Sequence, residues 1–405
     1  MHPAAKFTAA ALLVISVVAL AYKKPAQKKL QQPAPGTVTA PVTTPATTQL
    51  VVNKTPAKKI QVAVLLDVSN SMDGLIEQAK LQLWNMVSVL GKAQCNGVNP
   101  TVEIALYEYG RTTNNEKQGY VKQINSFTGD LNSVSENLFK LTTDGGDEYC
   151  GQVIYTSLND LKWDGDTSNY KVIFIAGNED FLQGHLSFTK ACTLAKGKGV
   201  IVNTIYCGDK MQGIQEHWNL GGECGGGSYT NINSNAKLED IATPYDDQLF
   251  TLNDQLNKTY IGYGTRGESE YLKQESLDQL NTKANKSAGL KRAYVKSKSN
   301  LYDNRNWDLV DAYKADSTVV NKIAASSLPD SLRSKSKKEL LQIVNSKKTE
   351  RTALQQQIET VNKKREVFII EERKKKSNAN AEANLETAIE QIIKHQARRF
   401  QLTIE

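Results

Sequence analysis

Asp67, Ser69 and Ser71 stand at alternate positions in KIQVAVLLDVSNSM, the stretch from Lys59 to Met72. One carboxylate and two hydroxyls at this spacing in an extended loop turn their oxygens to one side. An oxygen-only donor set suits a hard divalent cation, Mg²⁺, Mn²⁺ or Ca²⁺, better than zinc. The competing chemistry is local, because an aspartate followed by serines also closes a loop by Asx-turn bonds with no ion. Three residues decide little alone, so the elements around them carry the argument.

Ile60 to Leu66 is a near-continuous apolar run, as expected of a parallel strand covered on both faces. After the serines, Ile76, Ala79, Leu83, Met86, Val87 and Leu90 fall at helical spacing. Further along, TVEIALYEYG, YVKQINSF, YKVIFIAGN, VIVNTIYCG and GSYTNI read as strands, YVKQINSF at an edge. LNSVSENLFK, GQVIYTSLNDLKW and LSFTKACTLAKGKG read as the helices between them. The alternation predicts an α/β fold with a doubly wound, mainly parallel sheet. In such sheets ligands gather beyond the carboxyl ends of the strands, where the strand order reverses. Asp67 belongs there, and so do LTTDGGDEYCG (Leu141 to Gly151) and AGNED (Ala176 to Asp180). Three polar loops are therefore expected to meet at one rim.

With Asp-x-Ser-x-Ser after a buried strand and before an amphipathic helix, residues 59–242 resemble a von Willebrand factor type A (vWA) domain. The resemblance implies a metal-ion-dependent adhesion site, a MIDAS. The family brings a threonine from its second loop; here Asp147 follows Gly145 and Gly146, with Thr142 and Thr143 nearby. The family's aspartate at the end of the fourth strand falls on Ala176, so Asn178 or Glu179 would have to reach back. The implied ligand set is Asp67, Ser69, Ser71, Asp147, Asn178 and Glu179 around a weakly bound Mg²⁺, Mn²⁺ or Ca²⁺. With one carboxylate missing, Ala176→Asp is expected to tighten that ion. GGDEYCG with IFIAGNE also looks like a subgroup of exported bacterial proteins that carry this domain.

Other chemistries find less support. LLDVSNSM lacks the second aspartate of a haloacid-dehalogenase-type nucleophile motif, since Ser69 stands in its place. GGECGGGS lacks the Gly-Lys-Ser/Thr ending of a phosphate loop and leads into a strand. The four histidines, His2, His185, His217 and His395, show no metal spacing. Cys150 or Cys207 with His185 or His217 could form a thiol catalyst, but disulfide or core roles fit an exported chain better. No enzyme is expected. Of the five cysteines, the expected topology puts Cys150 and Cys207 at the rim, making them the first choice for a disulfide. Cys192–Cys224, on helical segments flanking the strand at Val200, is the second choice.

Outside this region the chain divides by composition. Residues 1–21 read as a signal peptide or N-terminal anchor, with an uncharged apolar run from Phe7 to Ala21. Residues 22–58, rich in Pro, Thr, Ala and Gln, read as an extended linker. Residues 243–330 form a helical extension in which Leu249, Leu252 and Leu256 make one stripe. There Trp307, Leu309 and Val310 are expected to bury against the back of the preceding domain. In residues 331–405, Leu340, Val344, Leu354, Ile358, Val361 and Phe368 follow alternating four and three spacings. Lys347, Arg351 and Arg365 interrupt the series. That pattern predicts either a weak coiled-coil seam available for self-association or an antiparallel hairpin closing on LETAIEQIIKHQARRF.

The 405 residues carry a net charge of +7, and Arg333 to Lys376 alone hold 14 Lys/Arg against 6 Asp/Glu. In an exported protein this excess points to anionic lipid, an envelope polymer or simple solvation rather than nucleic acid. The sequence thus leads to a non-enzymatic binding protein of the periplasm or cell envelope, its ion meeting an acidic residue of a partner protein. The alternative is a structural adaptor working through its basic helices, with a vestigial metal site.

Overall fold

The structure is a computed structural model that describes residues 58–232, 240–376 and 385–404. The signal or anchor at 1–21 and nearly all of the linker at 22–58 lie outside the described residues. Among those described, no helix is long and apolar enough to cross a membrane.

Seven strands and six helices follow one another through the first part of the chain. They are β1 (Lys59–Asp67), α1 (Asp73–Leu90), β2 (Ala93–Gln94), β3 (Thr101–Tyr109) and β4 (Lys122–Thr128). Next come α2 (Leu131–Lys140), α3 (Cys150–Asp160), β5 (Tyr170–Gly177), α4 (Phe188–Lys198) and β6 (Ile201–Cys207). The short helices α5 (Lys210–Gln215) and α6 (Trp218–Cys224) then lead into β7 (Gly226–Ile232). The main sheet has six strands in the order β4-β3-β1-β5-β6-β7, with every pair parallel except β3–β4.

Period-two alternation along β1 divides its side chains between two cores. Ile60, Val62 and Leu66 face Leu83, Met86 and Val87 of α1 and Val134 and Leu138 of α2. Ala63 and Leu65 face Val153, Ile154 and Leu158 of α3 and Ala191 and Ala195 of α4. Both faces are covered, which is why the strand reads as almost unbroken apolar sequence.

The second part is helical: α7 (Asp246–Asn257), α8 (Gly267–Ala284), α9 (Lys286–Lys296), α10 (Leu309–Ala315), α11 (Val319–Lys322) and α12 (Asp330–Arg333). A 40-residue α13 (Lys337–Lys376) and α14 (Leu385–Ala397) follow, and β8 (Thr403–Ile404) pairs antiparallel with β2. The expected coiled-coil seam on α13 is consumed within the chain. Leu354, Ile358 and Val361 pack on Leu249, Leu252 and Leu256 of α7, on α9 and on Trp307. Leu340 and Val344 pack on Leu309, Val310 and Val320. Trp307, Leu309 and Val310 thus bury against α7 and α13 instead of the sheet domain. Among the described residues α14 does not close on the α13 seam: Ile389, Ile393 and Ala397 complete the α1 core beside the sheet, and α14 meets α13 at the Arg373–Glu386 pair, 3.3 Å apart. Gln396 fixes α14 there by accepting from the Tyr170 hydroxyl at 2.9 Å and donating to Asn203 at 2.7 Å.

The basic interruptions of the seam are buried anchors. Arg351 reaches Asp308 at 2.7 Å and Asp311 at 2.8 Å, donates to Thr259, and lies 4.0 Å from the centre of the Tyr260 ring. Arg365 meets the buried Asp246 at 2.9 Å. Removing one partner of a buried pair strands the other charge away from water, at a cost of about 3–5 kcal/mol. Arg351→Ala should lose stability on that scale in urea unfolding. Lys363→Ala, which removes an exposed partner of Glu359 on the same helix, should stay within about 0.5 kcal/mol of wild type. Equal, small losses for both would contradict the anchoring role.

Candidate metal centre

β1 lies where the strand order reverses, between β3 and β5, and Asp67 is its last residue, paired with Tyr109. Its carboxylate is fully buried. One oxygen, Oδ1, accepts from the Ser69 N–H at 2.8 Å, so the loop does begin with an Asx-type bond. The other oxygen, Oδ2, is buried with no hydrogen-bond partner. A turn of 3-10 helix over Asn70–Met72 then brings the Ser69 and Ser71 hydroxyls within 3.2 Å of each other. Ser71 donates to the Asn178 side-chain oxygen at 3.2 Å, tying this loop to the one after β5.

Three loops do converge. Asp144 N–H donates to the Val68 carbonyl at 2.8 Å, and Thr112 N–H to the Gly145 carbonyl at 2.9 Å. A Cβ at Gly146 would stand 2.5 Å from the Gly110 carbonyl oxygen, so only glycine lets these backbones pass. The β5 loop is fixed from below, where Trp218 donates its indole N–H to the Glu179 carbonyl at 2.7 Å. His217 pairs with Asp180 at 2.9 Å. Tyr109 forms the floor, its hydroxyl donating to the Ala176 carbonyl at 3.0 Å.

Asp67, Ser69, Ser71 and Asn178 are thus brought together. Asp147 is not: it is exposed and accepts from the Tyr149 hydroxyl at 3.1 Å. The carboxylate that the second loop turns inward is Glu148, which is buried. A Cβ at Gly110 would lie 2.8 Å from Glu148 Cγ and 3.0 Å from Asp67 Oδ1, so the two acids flank one point. Glu179 keeps an exposed side chain that acts on Asp67 through its charge. Neighbouring acids in GGDEY can be told apart only by how the loop enters α3, and nothing in the letters signals that.

Ala176 is also placed differently from what the family pattern implies. Its side chain lies on the α1 face of β5, against an apolar cavity of about 60 Å³ lined by Val64, Leu66, Leu106, Phe174 and Ile205. The residue facing Asp67 is Gly177, where a Cβ would stand 3.0 Å from Asp67 Oδ2. Aspartate at 176 would therefore enter apolar core instead of the ion site.

The cysteines are corrected as well. Cys192 and Cys224 form the disulfide, joining α4 to α6 with Cα atoms 5.7 Å apart. Cys150 and Cys207 are free because the sheet separates them, Cys150 packing on its α3 face and Cys207 on its α1 face. Burial pushes both thiols well up, the opposite of what a nucleophile requires.

The residues fit a hard cation. Asp67 Oδ2 lacks a partner, the Ser69 and Ser71 hydroxyls lie 3.2 Å apart on the loop that follows, and Glu148 and Glu179 are further acids within electrostatic reach. Among the described residues no group of three or more His, Cys, Asp or Glu could by itself hold a metal ion.

The sheet order, with its antiparallel edge strand and the Asp-x-Ser-x-Ser loop at the reversal, gives the fold. It is that of a vWA domain. No family model matches the chain, and no curated protein matches it. Similar solved structures include the SpRpn10 VWA domain, at 13% identity and a TM-score of 0.34 over 44% of this chain and 91% of that one. Another is an aerotolerance-related membrane protein from Bacteroides fragilis NCTC 9343, at 16% and 0.31 over 44% and 93%. A third is proximal thread matrix protein 1 from the mussel byssus, with a zinc-occupied MIDAS motif, at 14% and 0.32 over 43% of this chain. This chain spans 41% of that mussel protein.

Burial raises Asp67 to about 7, against hydrogen bonds from Ser69 that lower it. Glu148 rises to about 8, through burial first and the charge of Asp67 second. Each acid holds its proton more tightly folded than unfolded. Their stabilising contribution is complete below the ordinary values of 3.8 and 4.5 and is lost as pH climbs through about 7 and 8. In EDTA, the melting temperature of wild type should therefore fall from pH 5 to pH 8 more steeply than that of Asp67→Asn/Glu148→Gln. Parallel curves would show that these acids are not strained.

Proposed function

We propose that the protein is a metal-dependent binding module of the vWA kind, working at the cell envelope and taking a carboxylate of a partner protein at its rim. The observation that carries this reading is Asp67 Oδ2, a buried and unpartnered oxygen at the crevice of the sheet. An unpaired buried acceptor costs about 1–3 kcal/mol, and a cation bound at this rim would offset that cost.

Asp67, Ser69 and Ser71 would hold the ion, with Glu148 beside them and Asn178 orienting Ser71. When bound, the ion supplies a Lewis-acidic position that a partner carboxylate can fill. The chain's own part is to aim the hydroxyls, keep the Asp67 side of the site dry and supply charge from Glu148 and Glu179. Oxygen donors favour Mg²⁺ or Mn²⁺, and with few charged ligands the affinity should be weak, on the order of 10⁻⁴–10⁻³ M. The alternative, an adaptor working through its basic helices, would have to use the lysines that α13 leaves exposed, since its apolar seam is buried within the chain.

Calorimetric titration with Mn²⁺ tests the site. Asp67→Ala should abolish binding while leaving a cooperative thermal transition. Ala176→Asp should not tighten binding and should destabilise the fold by several kcal/mol, since it puts a carboxylate among apolar side chains. Coincident titration curves for wild type and Asp67→Ala would end the metal reading. A tighter ion in a stable Ala176→Asp would show that the strand end turns toward the site after all.

A further inference from the structure

β4 is the edge of the sheet, antiparallel to β3 on one side and without a neighbouring strand on the other among the described residues. None of its seven residues is fully buried, and Lys122, Gln123 and Ser126 are exposed. An uncovered edge presents a row of backbone N–H and C=O groups, a template for one more strand. Because β4 runs antiparallel to β3, its first residue, Lys122, lies opposite Glu108 at the rim end of the sheet, one pair from the level of Asp67.

At that same end a groove of about 470 Å³ opens between β4 and α2, lined by Glu108, Arg111, Lys122, Asn137, Lys140 and Thr142. Its one acid, Glu108, is buried and already paired with Arg111 at 3.3 Å and Lys122 at 3.6 Å. The Lys122 and Lys140 side chains remain 58% and 66% exposed; Lys140 also pairs with Glu136 at 2.6 Å, so Arg111, Lys122 and Lys140 face Glu108 and Glu136 and leave the surface cationic by one charge. Arg111 also donates to the Thr142 carbonyl, on the loop that continues to Glu148. The groove and the candidate ion site thus share the loop that runs from Leu141 to Glu148.

We propose that the partner docks through an extended acidic segment, which adds as a strand to the open edge of β4 with its acidic side chains over Lys122 and Lys140. This rests on the reading of the rim as a site for a partner carboxylate, and it names what that partner presents. Strand addition gives affinity through main-chain hydrogen bonds, and alternate side chains give specificity. Lysine on the exposed edge disfavours pairing with basic strands and favours acidic ones. One acidic residue beyond the end of the added strand would then be carried to the rim, where Asp67 lies.

The test uses the full chain and a fluorescein-labelled peptide of alternating Val and Asp, about eight residues long, against its Val-Lys counterpart, in Mn²⁺. The Val-Asp peptide should bind and the Val-Lys peptide should not. Lys122→Glu/Lys140→Glu should weaken binding on the order of tenfold, and Lys122→Gln/Lys140→Gln, which sets no second acid beside the buried Glu108, should weaken it in the same direction while keeping a cooperative melting transition. Hydrogen exchange should show slowed amides within residues 122–128 on peptide addition. Absence of Val-Asp binding, indifference to the charge reversal, or protection confined to other strands would overturn the proposal. EDTA separates it from the metal reading. Binding and β4 protection that persist undiminished in EDTA uphold the edge site and sink the ion's role. Binding that needs Mn²⁺ but leaves β4 exchange unchanged does the reverse.

Discussion

Parallel hydrogen bonding of β1 to β3 on one side and β5 on the other is the constraint on which the rest of the molecule depends. It runs from Lys59 to Asp67 against β3 and from Ile60 to Leu66 against β5. A strand held on both edges and covered on both faces has no freedom to shift its end, since a one-residue slip would send Val62 and Leu66 to the wrong core. Asp67 is therefore delivered to the crevice with its carboxylate buried, whatever the loops do. Those loops then satisfy one of its oxygens, through Ser69, and leave the other open.

The helical half uses a different constraint, buried cations that can be neutralised at only one place. Arg351 has Asp308 and Asp311, and Arg365 has Asp246. Asp278 lies between Arg292 at 2.6 Å and Lys296 at 2.5 Å. Burial would raise the Asp278 carboxyl, but these two cations hold it well below the usual carboxylate range. Arg292 also lies 4.8 Å from the centre of the Trp84 ring and donates to Asn132, so the same cluster fastens α9 to α1 and α2. Apolar contacts alone would let α13 slide by a turn along α7. A guanidinium with a single acidic address fixes its register, as a polar residue in a coiled-coil seam does.

Strands and helices of the first half were legible because period two and period 3.6 are local properties, and β1's apolar run marked the central strand. What failed depended on which way a residue faces once neighbouring chain is in place. Leu340 to Phe368 have the spacing of a seam between chains, and the spacing is real. Sequence does not say that α7, α9 and α10 of the same chain fill it. Cys150 and Cys207 do approach the rim, but from opposite faces of a sheet that no disulfide crosses. Most lysines of α13 are exposed, but Arg351 and Arg365, which interrupt the seam, are nearly inaccessible, and composition does not separate the two sets.

The site itself shows how such failures can be informative. At Ala176 the sheet's alternation turns the side chain into the same core as Leu66 and Phe174, where a carboxylate has no partner. The next residue faces Asp67, but at 3.0 Å from Oδ2 even a methyl group crowds it, so glycine is required. Neither position at the end of β5 can then supply an acid. The acid that does lie beside Asp67 comes from another loop: it is Glu148, in the stretch that enters α3. The same packing that denies the end of β5 an acid therefore leaves the second loop as the one that sets a carboxyl group next to Asp67.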